Sequence, residues 1–217
     1  MKDKASEWVS VSDLMAGVMA VVMLMLVVSV LQNKAAEAAS QVQRQLQESA
    51  RNQDLRDLLA DMQRDLLHSG ESRLLDIDVQ GRRLVLPDDA FARGSACITP
   101  ATRNLLGRLA LRVAEFMRTH PQAQLLVEGH TDSLPVTRPV TDLNRYCTVY
   151  DDNYTLSAAR AREARKLLIP ALDTGQALRV VVAGYGDSRP RPGLAPQDAL
   201  NRRVEIQLQA APTSTGL

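Results

Sequence analysis

The chain has 217 residues, with 26 Lys plus Arg against 25 Asp plus Glu, 45% apolar and only 3% aromatic side chains. That length holds one domain of about 100 to 200 residues with a segment to spare, which excludes a large multidomain enzyme. A net charge of +1 lacks the basic excess of a nucleic-acid coat, and three His and two Cys, with Cys97 and Cys147 far apart, exclude most metal and redox frameworks.

Between Lys4 and Lys34 no basic residue occurs, and Leu14 to Leu31 contains only Ser29 as a polar side chain. About 20 apolar residues cross a hydrocarbon core of roughly 30 Å, so Val9 to Leu31 is read as a transmembrane helix behind a short tail, residues 1–8. Trp8 stands where an interfacial aromatic belongs. A cleaved signal peptide, with Lys2 and Lys4 as its basic region and Ala35 to Ser40 near a cleavage site, fits less well. The apolar run is long for one, Trp8 and Asp13 are odd in one, and a helix continues beyond it. Lys2 and Lys4 favour a cytoplasmic N-terminus only weakly.

Asp13 lies about one turn inside this span. A carboxylate at the bilayer centre costs about 2.5 to 3.5 kcal/mol, so it faces protein or water. Two readings stay open on physical grounds: a proton or ion site, or a cap in which Ser10, Ser12 or Asp13 closes the helix at the headgroups. Trp8 to Met19 resembles the N-terminal segment of the MotB family, in which Trp and a short polar stretch precede Asp, an apolar residue, Met, two small residues and Met. The resemblance implies that Asp13 is the proton carrier of an ion-driven stator. Ala16, Gly17 and Ala20 then let a partner helix approach closely, and Met15, Met19 and Met23 fill gaps between helices.

Residues 32–70 lack Pro and Gly until Gly70 and are rich in helix formers, which predicts a helical stalk, with a flexible linker as the alternative. Val42, Leu46, Leu55, Leu58, Leu59, Met62 and Leu66 form a narrow apolar stripe that suits a two-stranded coil. Residues 71–209 then read as an α/β sandwich. Strands are expected at Leu74–Val79, Leu84–Leu86, Gln124–Glu128, Leu178–Ala183 and Val204–Leu208, with helices at Pro100–Thr119 and Ser157–Ile169. Residues 210–217 read as a disordered tail.

Five landmarks occur in order: Phe91-Ala-Arg-Gly-Ser-Ala96, Val127-Glu-Gly-His-Thr-Asp132, Asn153-Tyr-Thr-Leu-Ser-Ala-Ala-Arg160, Gly184-Tyr-Gly186 and Asn201-Arg-Arg-Val-Glu-Ile206. Together they are similar to the OmpA-like peptidoglycan-binding domain. Asp132 and Arg160 match a zwitterion, Asp132 for an ammonium and Arg160 bidentate for a carboxylate. The resemblance implies that this ligand is the diaminopimelate of the peptidoglycan stem peptide, with Thr131, Asn153 and Leu156 lining the site. Arg202 or Arg203 adds positive potential, or Arg203 instead holds a loop carbonyl. The alternative for Asp132 and Arg160 is an internal salt bridge. No enzyme is expected: Ser133, His130 and Asp132 are neighbours on one strand and cannot converge as a triad.

Residues 133–152 are longer than in compact members of that family, and a Cys97–Cys147 disulfide is expected to pin this insert beside the pocket. Anchor, acid, stalk and wall domain together imply a proton-driven stator B subunit in the bacterial inner membrane. The resemblance implies a cytoplasmic N-terminus, a periplasmic C-terminal domain, and a homodimer within a ring of a MotA- or ZorA-like multi-helix partner, with no cofactor beyond the transported proton. Ser-Val-Ser-Asp-Leu-Met-Ala-Gly17 and the tethered insert resemble most closely the ZorB subunits of the Zorya anti-phage defence system. A flagellar MotB-type subunit and a passive cell-wall tether are the alternatives.

Overall fold

Helix formers running on from the apolar segment give one helix, α1 (Lys4–Ser69), which stops at Gly70, where φ is +71°. The computed structural model describes residues 4–210, with side-chain surroundings from Ser12 onward; Met1 to Asp3 of the expected tail and residues 211–217 lie outside the described residues. The chain divides into two units, residues 1–49 and Ala50–Leu217.

In the first unit the side chains of Leu14 to Leu31 are uncovered, and an 18-residue window reaches a mean hydropathy of 2.8, long and apolar enough to cross a membrane. Because α1 begins at Lys4, Asp13 stands about two and a half turns inside it, past the orphan N–H groups of the first turn. It therefore does not cap the helix. Ala16, Gly17 and Ala20 follow at three, four and seven residues and share its face, and a Cβ at Gly17 would meet nothing within 4 Å.

The second unit begins earlier than its sequence suggests. Leu55, Leu59, Met62 and Leu66 are buried in the domain core of their own chain, whereas Val42 and Leu46 stand exposed. The stripe expected to pair two chains is thus, over its second half, a core face of this domain. Gln63 Nε2 donates to Ile77 O at 2.8 Å, and Arg112 reaches Asp65 at 2.5 Å, fixing the helix against the strand Asp76–Asp78 and the helix Pro100–Thr119. Burying four such side chains contributes about 6 to 12 kcal/mol, comparable to the whole stability of a domain. A chain starting at Ala50 should unfold in one cooperative thermal transition, whereas one starting at Glu71 should melt at least roughly 15 °C lower or not fold. Circular dichroism against temperature checks this.

Five strands form one sheet: β1 (Asp76–Asp78), β2 (Arg83–Pro87), β3 (Gln124–His130), β4 (Val180–Gly184) and β5 (Arg203–Gln209), in the order β1-β2-β5-β3-β4. All neighbours are antiparallel except β3 and β4, which are parallel. Helices are α2 (Pro100–Thr119), a short α3 (Leu143–Tyr146), α4 (Asn153–Leu168) and a short α5 (Thr174–Ala177). Leu84 and Leu86, Leu125 and Val127, and Val204, Ile206 and Leu208 alternate inward to meet the buried faces of α2 and α4. The opposite parity carries charge: Arg83, Glu128, Arg203 and Glu205. α4 presses directly on the sheet, since a Cβ at Gly129 would lie 1.9 Å from Ser157 O and one at Gly184 would lie 2.6 Å from Ala158 Cβ.

Candidate functional site

Asp132 follows β3 and is 5% exposed. Its Oδ1 accepts from Leu134 N at 3.2 Å, a local turn that aims the carboxylate, and Asn153 Nδ2 holds that turn through Asp132 O and Leu134 O. Asn153 is the first residue of α4, because Asp152 caps the helix by accepting from Thr155 N at 2.6 Å. The helix therefore starts four residues before the expected Ser157. Arg160 lies in its third turn rather than its first, one turn beyond the buried Leu156.

Arg160 is 2% exposed and is held from three sides. Its Nε donates to Ser95 O at 3.0 Å, its guanidinium lies 5.0 Å over the Phe91 ring, and Nη1 stands 3.0 Å from Asp88 Oδ1. That last contact is off the hydrogen-bond direction, so Arg160 Nη1 and Asp88 Oδ1 are both buried without a hydrogen-bond partner, as is Thr131 Oγ1. Burial lowers the Arg160 pKa, opposed by the Asp88 charge. Asp132 and Arg160 do not bond each other. Asp132 Oδ2 accepts from Arg202 Nη1 at 2.6 Å, and Arg202 Nε donates to Asp88 Oδ2 at 2.9 Å, so acids and arginines alternate from Arg160 through Asp88 and Arg202 to Asp132.

Arg203 does not belong to this set. As the first residue of β5 it points to the face away from α4, donating to Glu205 at 2.5 Å and to Asn201 O at 2.9 Å. Arg202, one residue earlier, has the opposite parity and reaches the site. Asp88 was missed by the sequence reading, which began its first landmark at Phe91. The signal available was the acid pair Asp88-Asp89 directly before that landmark.

The insert buttresses the same site. Cys97 and Cys147 form a disulfide, with Cα atoms 5.1 Å apart. Tyr146 O accepts from Ala96 N and from Ser95 Oγ, and Tyr150 Oη donates to Gly94 O at 2.6 Å. The segment that presents Ser95 O to Arg160 is thus fastened to residues 140–150. A separate groove lined by Leu143, Val149, Tyr154 and Val182 contains none of the four alternating charges.

On the opposite face of the sheet Glu128, His130 and Glu205 bring potential metal-ligand atoms within 4.8 Å of one another. Both oxygens of Glu205 already accept, from Arg203 and from Arg83 at 2.8 Å, so this is an arginine–carboxylate network rather than a cation site. Burial, then the Arg203 charge, pushes His130 down to about 4. Its unfolded value is about 6.5, so the unfolded chain binds the proton first. Stability is full above pH 6.5 and should fall by on the order of 2 to 3 kcal/mol between pH 6.5 and 4. Urea midpoints at pH 7 and 4.5 check this against His130→Gln, which removes this contribution to the slope and leaves those of Glu128 and Glu205.

A profile of the OmpA family matches residues 90–203, more than half of the chain. Outer membrane porin F of Pseudomonas aeruginosa is 36% identical over 100 residues, 45% of this chain and 25% of the porin, so the chain spans about a quarter of that relative's length. Among solved structures, a MotB-like protein from Desulfovibrio vulgaris superposes with a TM-score of 0.55 at 18% identity, over 75% of this chain and 98% of that one. The cell wall anchor of the T6SS from Pseudomonas aeruginosa gives 0.48 at 32% identity, over 67% and 94%.

Proposed function

The chain belongs to the OmpA family, and from that membership we propose that its domain binds the peptidoglycan stem peptide at the free zwitterionic end of a diaminopimelate residue. Arg160 takes the carboxylate, with Thr131 Oγ1 beside it, and Asp132 takes the ammonium in competition with Arg202. The observation that carries this reading is the buried pair Arg160 Nη1 and Asp88 Oδ1, 3.0 Å apart and each without a hydrogen-bond partner.

Peptidoglycan lies outside the inner membrane, so the apolar helix anchors the chain there with a cytoplasmic N-terminus and a periplasmic domain. A passive tether has no use for an acid in its anchor, and Asp13 shares a face with Ala16, Gly17 and Ala20. We therefore favour a MotB-type stator subunit, a homodimer working with a MotA-like multi-helix partner, in which Asp13 carries a proton. The fold shared with a MotB-like protein supports the class. The narrower assignment to anti-phage defence of the Zorya type rests on the Asp13 motif and the tethered insert.

The test of wall binding uses the full chain in detergent with isolated sacculi. Retention on sacculi that is released by meso-diaminopimelate and not by lysine, which lacks the second carboxylate, is the expected result. Failure to be retained, or release by both alike, overturns the reading.

A further inference from the structure

We propose that Asp88 is a positioning and specificity-determining residue of the zwitterion site, holding Arg160 and Arg202 together and setting the local charge to zero. The proposal rests on the reading of that site as a ligand site. Two guanidinium groups gathered at one carboxylate repel each other, and beside burial, the main cause, the Arg202 charge also acts to lower the Arg160 pKa. The Asp88 carboxylate stands between them, with Oδ2 accepting from Arg202 Nε at 2.9 Å and Oδ1 3.0 Å from Arg160 Nη1. Its backbone is set for this role. Pro87 precedes a single 3-10 turn, Asp88–Ala90, and Phe91 N donates back to Asp88 O at 3.0 Å. Asp88 and Phe91 therefore reach Arg160 from one turn, the first at its edge and the second at its face.

Arg160 and Arg202 against Asp88 and Asp132 sum to zero, which suits a ligand that itself carries one ammonium and one carboxylate at the gripped end. A dicarboxylate without ammonium groups brings uncompensated negative charge into a site where little water screens it. Removing the Asp88 charge leaves a net positive site, and the order of preference should shift toward the dicarboxylate.

The experiment measures binding of meso-diaminopimelate and of pimelate to the full chain in detergent by calorimetry. The wild type should prefer meso-diaminopimelate by tenfold or more. Asp88→Asn, which is isosteric and keeps an acceptor for Arg202 Nε, should lower that ratio at least tenfold, and Asp88→Glu should restore most of it. Adding Arg202→Gln to Asp88→Asn returns the site to neutrality and should bring the ratio back toward wild type, which a merely structural role would not do. An unchanged ratio in Asp88→Asn, or a double variant no better than the single one, overturns the proposal. A wild type that binds neither compound overturns the zwitterion reading instead; pimelate binding gained by Asp88→Asn then still supports the charge-setting role, and its absence overturns that role too.

Discussion

Replacing Asp13 by Asn is expected to abolish every ion-driven phenotype of this chain, down to the level of a deletion, while leaving its amount in the membrane and its retention on sacculi unchanged. Asn has the shape of the carboxyl and none of its titration. A carboxylate within the hydrocarbon is costly by about 2.5 to 3.5 kcal/mol at the centre, and in the proposed stator its protonation would neutralise that charge and let a partner surface move past, with release restoring it. Phage plating efficiency and swimming, each measured on cells carrying the native operon with and without the substitution, read the result. Lost protection identifies a defence stator, and lost swimming a flagellar one. If neither phenotype responds, the motor reading is wrong and a passive tether remains.

Gly129→Ala is expected to be the most destabilising Gly→Ala replacement among the described glycines of the domain. The new Cβ would lie 1.9 Å from Ser157 O, a backbone atom of α4 that no side-chain rotation can move. Either β3 or α4 must shift, at a cost of about 3 kcal/mol or more, which lowers the melting temperature by roughly 10 °C for a unit of this size. Arg160 sits three residues beyond Ser157 on the same helix. Sacculus retention should therefore fall with stability. Gly107→Ala is the control: on α2 a Cβ there meets nothing within 4 Å, and Ala should raise stability by up to about 1 kcal/mol. Thermal melts of the three chains decide it, and an unshifted Gly129→Ala would mean that α4 does not pack as closely as described.

The periodicity of α2 was legible because it has one buried face with a clear repeat, Leu105, Leu109, Val113 and Phe116, whereas β2, β3 and β5 are buried on both faces and showed as apolar runs bounded by turns. The second half of α1 was legible as a stripe but not as a domain element. A row of Leu and Met at helical spacing shows that it is covered and not by what, and Leu55, Leu59, Met62 and Leu66 fit a partner helix as well as a core. The choice between Arg202 and Arg203 turned on where β5 begins, since one residue of register exchanges the faces. Asp132 and Arg160 stood out because their motifs carry them. Asp88 did not, because the acid pair Asp88-Asp89 signals charge but not its partners: the two arginines stand 72 and 114 residues further on and meet Asp88 only in the folded domain.

One strand joins the two halves of the sheet. β5 lies between β2 and β3 and pairs with both, and Arg202 immediately precedes it. Among the described residues β5 is the only hydrogen-bonded link between the β1-β2 pair and the β3-β4 pair, so loosening it parts the sheet and displaces Arg202 in the same event. Folding of the sheet and assembly of the four alternating charges are therefore one cooperative step, with no state in which the charges are gathered and the sheet is open.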